Sequence, residues 1–455
     1  MADAERPAPV PFSLRKFAKN TSYLFLGGSA TSVLAFIQSI LIVRVLGAND
    51  YGAWAVITSF VGMAPAFLGF KTSLPLTREV VRMREAASRS GLSLLLASAL
   101  WVEVITNLAA LLLVGGASTL VATHAAKAPS LWPIAWIYGS RLLLQAVEPI
   151  WFSVARDRQA YRALSAVPTI GALALFGAVI VLWRLESLNL WSLAWAHLAS
   201  SLLLCLLETV HLEMLLRRAY GLRLSRLAYG GLWSRRREIA EFWEFMWSTY
   251  ARSLIGSVLK SCDVVVLGWF RAPAEAGIYK LAKSMASVLT LLVDPLTKSF
   301  YQDVNEQLHT GQYRQMQRDL DRMTRKAALP TAVVIVAAVA LAKPAVLLLY
   351  GADFAPAATY FSIIMIGSAF SLLLFWAPPL IQACGEHMYQ LQVTLWVGLP
   401  SLAFMVVGSY LWGATGLAAL STFRAIVPHL LFRRRGLTRL EALAAEAELP
   451  PAASR

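Results

Sequence analysis

Charge is scarce in this chain. Only 15% of its 455 residues are charged, while 58% are hydrophobic; a soluble domain carries about 25% charged residues. So little polar surface cannot cover the several soluble domains that the length would otherwise allow, and such hydrophobicity excludes a disordered chain. Cysteine is scarce too. Cys205, Cys262 and Cys384 each sit in an apolar stretch and form no CxxC, so neither a disulfide framework nor a structural zinc site is implied. The sequence holds no GxxxxGK[ST] phosphate loop, no HExxH and no Gly-rich dinucleotide turn, which excludes a self-contained ATP-driven pump and argues against an enzyme. The first twenty residues are polar and proline-rich, and the apolar run from Thr21 is too long for the core of a cleavable leader, so none is expected. What remains is a long polytopic membrane protein.

Apolar runs of about 20 residues, the length that crosses a bilayer, occur twelve times: 21–45, 52–70, 92–115, 130–154, 163–184, 189–215, 242–268, 276–300, 329–349, 357–381, 389–410 and 413–432. The connections alternate. Those at 71–90, 155–162, 217–240 and 302–327 are basic, whereas those at 46–51, 116–129, 185–188, 269–275, 350–356 and 411–412 carry few cations. With the N-terminus inside, inner segments hold about 29 Lys and Arg, and outer ones about three, Lys127, Arg184 and Arg271. Retention of Lys and Arg in the cytoplasm then places both termini there, and the even span count agrees. The longest inner loop divides the chain into an N-terminal segment 1–20, a first six-span lobe 21–216, a linker 217–240, a second six-span lobe 241–432 and a tail 433–455. The lobes echo each other. Val45-Leu46-Gly47 precedes Tyr51-Gly52 at the second span, and Val266-Leu267-Gly268 precedes Gly277-Ile278-Tyr279 at the eighth. Transporters are often built from such repeats. Prolines inside many spans, Pro65, Pro149, Pro295 and Pro400 among them, suit kinked helices around a cavity.

Ionisable side chains inside spans cost roughly 2.5–3.5 kcal/mol each at the bilayer centre, and so mark cavities or pairs. The candidates are Arg44, Glu103, Arg141, Glu148, Arg252, Lys260, Asp263, Lys280, Lys283, Asp294, Lys298 and Arg424. Lys280 and Lys283 are three apart and share a helix face; Arg252 and Lys260, eight apart, do likewise. Lys260 and Asp263 are close enough to pair. In the seventh and eighth spans five cations face two acids, and a positive cavity in a low-dielectric wall draws anions. Phosphate or pyrophosphate fits, and Arg suits its bidentate capture. Arg44, Lys280 and Lys298, near span ends, can instead snorkel to the interface. Asp319-Leu-Asp321 has a DxD spacing, but it lies in a charged stretch, Gln302–Lys326, that predicts a solvated helix. No folded basic module presents the charge of +15 to nucleic acid.

Phe17-Ala-Lys-Asn-Thr-Ser-Tyr-Leu-Phe-Leu-Gly-Gly followed by Arg44-Val-Leu-Gly-Ala-Asn-Asp-Tyr-Gly resembles the N-terminal signature of polysaccharide-biosynthesis export proteins. These are Wzx-type lipid-linked oligosaccharide flippases of the multidrug/oligosaccharidyl-lipid/polysaccharide exporter superfamily. Leu68-Gly-Phe with Arg78-Glu79, Asp263-Val-Val-Val-Leu-Gly-Trp-Phe, Gly277-Ile-Tyr-Lys-Leu-Ala and Leu349-Tyr-Gly-Ala-Asp-Phe-Ala-Pro-Ala continue the similarity over residues 14–432. It implies an all-α fold of about twelve transmembrane helices, in two six-helix lobes forming a V-shaped bundle like that of MATE and MurJ transporters. It also implies alternating access moving an undecaprenyl-pyrophosphate-linked glycan from the inner to the outer leaflet of a bacterial inner membrane, for O-antigen, capsule or exopolysaccharide. The expected substrate-binding cations are Arg44, Arg141, Arg252, Lys260, Lys280 and Lys283; the expected coupling or gating acids are Glu103, Glu148, Asp263 and Asp294. No catalytic residue and no bound cofactor is expected, only a proton or sodium gradient. Membrane lipids, a polysaccharide polymerase and a chain-length regulator are the expected partners, and no nucleic acid. Relatives often carry Arg before the seventh-span Asp, where this chain has Cys262, with Lys260 two positions earlier. An ion-coupled multidrug exporter of the same fold is the first alternative, though the first span lacks the Asp that a cation antiporter would use there. A membrane glycosyltransferase or polymerase, or a non-transporting assembly scaffold, is the second. The longest outer loop, 116–129, holds no Asp or Glu for such catalysis.

Overall fold

The computed structural model describes residues 14–448 other than 71, 228, 230–234, 289–296, 298–299, 301–303, 305–306, 309–310 and 312. Among the described residues every regular element is helical. The first helix, α1 (Leu14–Leu68), has 55 residues, about 80 Å at 1.5 Å per residue, against a hydrocarbon core of about 30 Å. One crossing cannot use that length. The run is broken at Gly47, with φ 71° and ψ 178°, a conformation that a residue with a Cβ rarely adopts. The last helix, α14 (His387–Glu448), is broken in the same way at Gly413 (φ 58°, ψ −140°). The connections expected at 46–51 and 411–412 thus reduce to single glycine joints.

Between these two lie α2 (Ser73–Glu85), α3 (Arg89–Leu120), α4 (Trp132–Leu144), α5 (Glu148–Asp157), α6 (Tyr161–Arg184), α7 (Leu190–Leu215), α8 (Ala240–Ser261), α9 (Asp263–Phe270), α10 (Pro273–Ser287), α11 (Tyr313–Tyr350), α12 (Ala357–Leu373) and α13 (Ala377–Ala383). Six helices among the described residues are long and apolar enough to cross a membrane, or seven if α12 and α13, bent by 42°, form one span. The protein is a multi-pass membrane protein of the all-α class. The expected fourth span is split into α4, a 3-10 turn and α5, with Pro149 near the α5 start. The expected seventh is divided at Cys262 into α8 and α9. The basic connection 71–90 contains the helix α2, whose Leu76, Val80 and Met83 are buried on one face. The charged helix expected at Gln302–Lys326 runs, from Tyr313, without interruption into α11. Only 11% of the residues in the most apolar stretch of α11 are buried, so this helix presents a wide apolar face to its surroundings.

The two ends of the bundle differ. At the end that carries Gly47, His124, Arg271, Gly351 and Gly413, here termed the turn end, one apolar cluster joins both halves of the chain. It links Ile42, Val43 and Val56 to Leu267, Ile278, Tyr350 and Phe354. At the opposite, basic end the described residues form two separate clusters, one around Leu76, Leu95, Trp151 and Leu212, the other around Leu320, Trp376, Leu380 and Leu440. Among the described residues the halves are therefore closed over each other at one end and divided at the other. One element crosses the divide. Phe242 and Met246 of α8 pack in the first-half cluster, Tyr250 Oη donates to the Phe67 carbonyl (2.5 Å), and Phe70 meets Trp247 edge-on at 4.7 Å.

Lipid gives no hydrophobic gain for helix association, so close approach depends on small residues. The seam at the turn end follows that rule. A Cβ on Gly52 would lie 2.0 Å from the Pro273 carbonyl oxygen, and one on Gly277 would lie 2.7 Å from the Gly52 Cα. The glycines that echoed each other in the sequence are the point where the halves touch. At the second glycine joint, Glu275 accepts a hydrogen bond from the Ala414 N–H (2.7 Å), which neutralises the positive start of the helix that follows. A Cβ on Gly413 would lie 2.2 Å from that carboxylate. Gly413→Ala is expected to cost about 1–3 kcal/mol through backbone strain and loss of this cap, lowering the temperature at which the detergent-solubilised protein loses its monodisperse chromatographic peak. Gly28→Ala, whose Cβ meets nothing within 4 Å, should leave that temperature unchanged.

Candidate functional site

Below the glycine seam the halves part around a cavity of about 320 Å³. Ser59 and Gly62 of α1 line one wall, and Asp263, Lys280, Lys283 and Ser284 line the other. Asp263 opens α9 directly after the Cys262 break. It is 4% exposed, and among the described residues three donors hold its carboxylate: Lys283 Nζ (2.5 Å), Tyr279 Oη (3.0 Å) and the Val264 N–H (2.9 Å). Tyr279 Oη also lies 3.2 Å from Ser421 Oγ on α14, and Arg424, one turn on, acts electrostatically on both Asp263 and Tyr279. Asp263 is thus paired with Lys283 of the next span; the pairing expected with Lys260 involves a side chain outside the described residues.

Lys280 sits one turn before Lys283 on α10, but its Nζ reaches the other half, donating to Thr58 Oγ1 (2.6 Å) and to the Ala55 carbonyl (3.2 Å). Arg44 is placed elsewhere. It lies before the Gly47 joint, exposed, and donates to the carbonyls of Leu348 and Leu349 at the C-terminal end of α11, where helix carbonyls lack partners and the dipole favours a cation. Arg271 does the same for the end of the helix before Gly413, donating to the carbonyls of Ser409 (3.2 Å), Tyr410 (2.9 Å) and Leu411 (3.1 Å).

A second polar group lies within the first half. Arg141 donates to Tyr138 Oη (2.5 Å) and stands 4.7 Å over that ring. Tyr138, Trp54 and His197 pack ring on ring at 5.2–5.6 Å. Glu103, 7% exposed, accepts from Thr72 Oγ1 and from Asn107 Nδ2 (3.4 Å). Glu148, the first residue of α5, is solvent-accessible and interacts electrostatically with Arg141, Glu103 and Glu208. Glu208 on α7 is 6% exposed and was not among the sequence candidates. Its signal was present, a lone carboxylate in the apolar run Leu202–Val210. Glu79 is a second missed acid, fully buried on α2 and bonded by Arg82 at 2.9 Å; Arg82 also pairs with Glu241 of α8. Arg252 and Lys260 lie on α8, with side chains outside the described residues, and Asp294 and Lys298 lie outside them altogether. The structure therefore brings Asp263, Lys280 and Lys283 together at one cavity, groups Arg141, Glu103 and Glu148 in the first half, and sets Arg44 apart from both.

Comparison with known proteins bears on the fold and the family. The lipid II flippase MurJ in an inward closed conformation superposes with a TM-score of 0.72 at 13% identity, over 93% of this chain and 90% of that one. A multidrug resistance MATE family transporter of the MOP superfamily, in an inward-facing conformation, gives 0.69 at 13% identity, over 92% and 96%. At that identity the likeness establishes the fold. In sequence, the inner membrane protein YghQ of Escherichia coli (strain K12) is 37% identical over 68 residues, which are 15% of this chain and about a fifth (19%) of that protein. The pattern of the polysaccharide biosynthesis protein family matches residues 17–301. That stretch runs from the first helix through the glycine seam and past α10, so the segments that form the cleft are those the pattern describes, and the chain belongs to the polysaccharide biosynthesis protein family.

Proposed function

We propose that the protein moves an undecaprenyl-pyrophosphate-linked oligosaccharide from the cytoplasmic to the outer leaflet of the bacterial inner membrane by alternating access. The observation that carries this reading is the cleft, sealed at the turn end and divided at the basic end, with two lysines from one helix inside it. Basic loops are retained in the cytoplasm, so the divided end would face the cytoplasm in an inward-facing arrangement, the conformation named for the MATE relative. Lys283, Arg141 and the α8 cations Arg252 and Lys260 would meet the pyrophosphate. The sugars would occupy the hydrated cleft, with the prenyl chain against the apolar lipid-facing surface. Glu103, Glu148, Asp263 and Asp294, joined by Glu208, would couple the cycle to a proton or sodium gradient. A polymerase and a chain-length regulator would take the delivered glycan.

The MATE likeness supports a multidrug exporter as a second reading, but lysines in the cleft repel the cationic drugs such a protein would carry. Reconstitution in liposomes separates the two. With a fluorophore on an undecaprenyl-pyrophosphate disaccharide, the fraction quenched by external dithionite is expected to rise from about half towards completion within minutes, and not in protein-free vesicles. Export of tetraphenylphosphonium with no movement of the pyrophosphate lipid would reverse the assignment.

A further inference from the structure

Lys280 and Lys283 share a face of α10, yet their bonds differ in kind. Lys283 bonds Asp263 within its own half, so that contact survives any relative movement of the halves. Lys280 bonds Thr58 and Ala55 of the opposite half, and parting of the halves at the turn end must break both contacts. Those contacts sit directly beneath the glycine seam, since Gly277, one turn before Lys280, touches Gly52, about one turn before Ala55 and nearly two before Thr58. Further up the same seam, a Cβ on Gly268 would meet the Ala125 carbonyl at 2.7 Å, and Trp269 stacks on His124 at 5.5 Å. Among these cross-half contacts Lys280 is the charged one that also faces the cavity. Its acceptors are neutral, a hydroxyl already committed as donor to the Trp54 carbonyl (2.7 Å) and one backbone carbonyl. A bond from an ammonium to an ionised oxygen is about twice as strong as one between neutral groups. An anion in the cavity therefore competes for Lys280 against acceptors weaker than itself.

We propose that Lys280 is the latch of the turn end. Its ammonium fastens α10 to α1 while the cleft is empty, and an anionic group entering the cleft draws it off Thr58 and frees the seam to part. The second half of this statement rests on the proposed anionic substrate; the first does not. The device makes the substrate's charge the signal for opening and leaves the empty carrier shut at the turn end, so that ions do not leak through it.

The test is a distance measurement by electron spin resonance in lipid nanodiscs, on protein carrying labels at Ser130→Cys and Asp353→Cys and lacking its three native cysteines. Both positions are exposed at the turn end, one in each half. Without ligand the parent should show one short distance, and undecaprenyl pyrophosphate in the nanodisc should add a longer one. Lys280→Met and Thr58→Val should each raise the long-distance population about tenfold to a hundredfold without ligand, the range of one charge-assisted hydrogen bond, and pyrophosphate lipid should add little more. Distances in both variants equal to the parent's would overturn the latch. Constitutive opening in the variants, with a parent indifferent to undecaprenyl pyrophosphate, keeps the latch and removes the anionic substrate.

Discussion

Lys283→Met is expected to abolish transport and to destabilise the second half of the bundle. Asp263 is 4% exposed and depends on the Lys283 ammonium at 2.5 Å for its counter-charge. Removing one partner of a buried ion pair costs about 3–5 kcal/mol, because the other charge is left uncompensated. Lys283 itself is 35% exposed, so water in the cleft screens part of that, and about 2 kcal/mol is the figure to look for. The control is Asp263→Asn combined with Lys283→Met. The pair of changes should recover most of the thermal stability, since neither charge is then stranded, while transport stays lost with the cleft cation gone. Thermal unfolding of the purified single and double variants closes the mutant cycle. A Lys283→Met protein as stable as its parent would show that Asp263 draws its compensation from elsewhere, Arg424 and Lys280 both acting on it electrostatically.

Gly52→Val is expected to hold the protein open at the turn end. The added Cβ would lie 2.0 Å from the Pro273 oxygen and 2.2 Å from its carbonyl carbon. Both are backbone atoms of α10, which cannot swing aside as a side chain does. Overpacking a tight contact costs about 1–3 kcal/mol, and here the cost falls on the closed state alone, so the closed-to-open ratio drops by about five- to 150-fold. Labels at Ser130→Cys and Asp353→Cys would report a long distance as the major population, and flipping would fall with it, because a carrier that cannot reclose does not cycle. A Cβ on Gly28 meets no neighbour within 4 Å, and Gly28→Ala should leave both measurements at parental values. A short distance in Gly52→Val would mean that the seam closes by sliding α10 along α1.

Much of the architecture was legible in the sequence because a bilayer leaves few choices: backbone groups in lipid must be paired within a helix, and span length follows from bilayer thickness. The short connections around Gly47 and Gly413 and the alternation of basic and non-basic loops were read on that basis. The attachment of α8 to the first half was not. Hydrophobicity tells that Phe242 and Met246 are apolar, but not which neighbours they choose, and their place after the basic linker assigned them to the second lobe. The α2 helix was hidden by its own arginines, whose charge reads as loop even though Leu76, Val80 and Met83 recur at helical spacing. In the site, spacing placed Lys280 and Lys283 on one face. It could not distinguish their partners, because the seam between the halves passes between two residues one turn apart. Glu208 was overlooked among its apolar neighbours, and Arg44 was grouped with the cleft because a span has no depth marker near its end.

The bareness of α11 has a mechanical consequence. In its most apolar stretch 11% of the residues are buried, which leaves a wide apolar face for acyl chains, and the part after Lys326, residues 327–350, reaches about 36 Å, a few ångströms past one hydrocarbon core of about 30 Å. Bilayer thickness therefore acts on it as a load. A change of a few ångströms, at a fraction of a kcal/mol per ångström, tilts the strut to whose upper end Arg44 is fastened, so the surrounding lipid bears directly on the contact that joins the two halves at the rim.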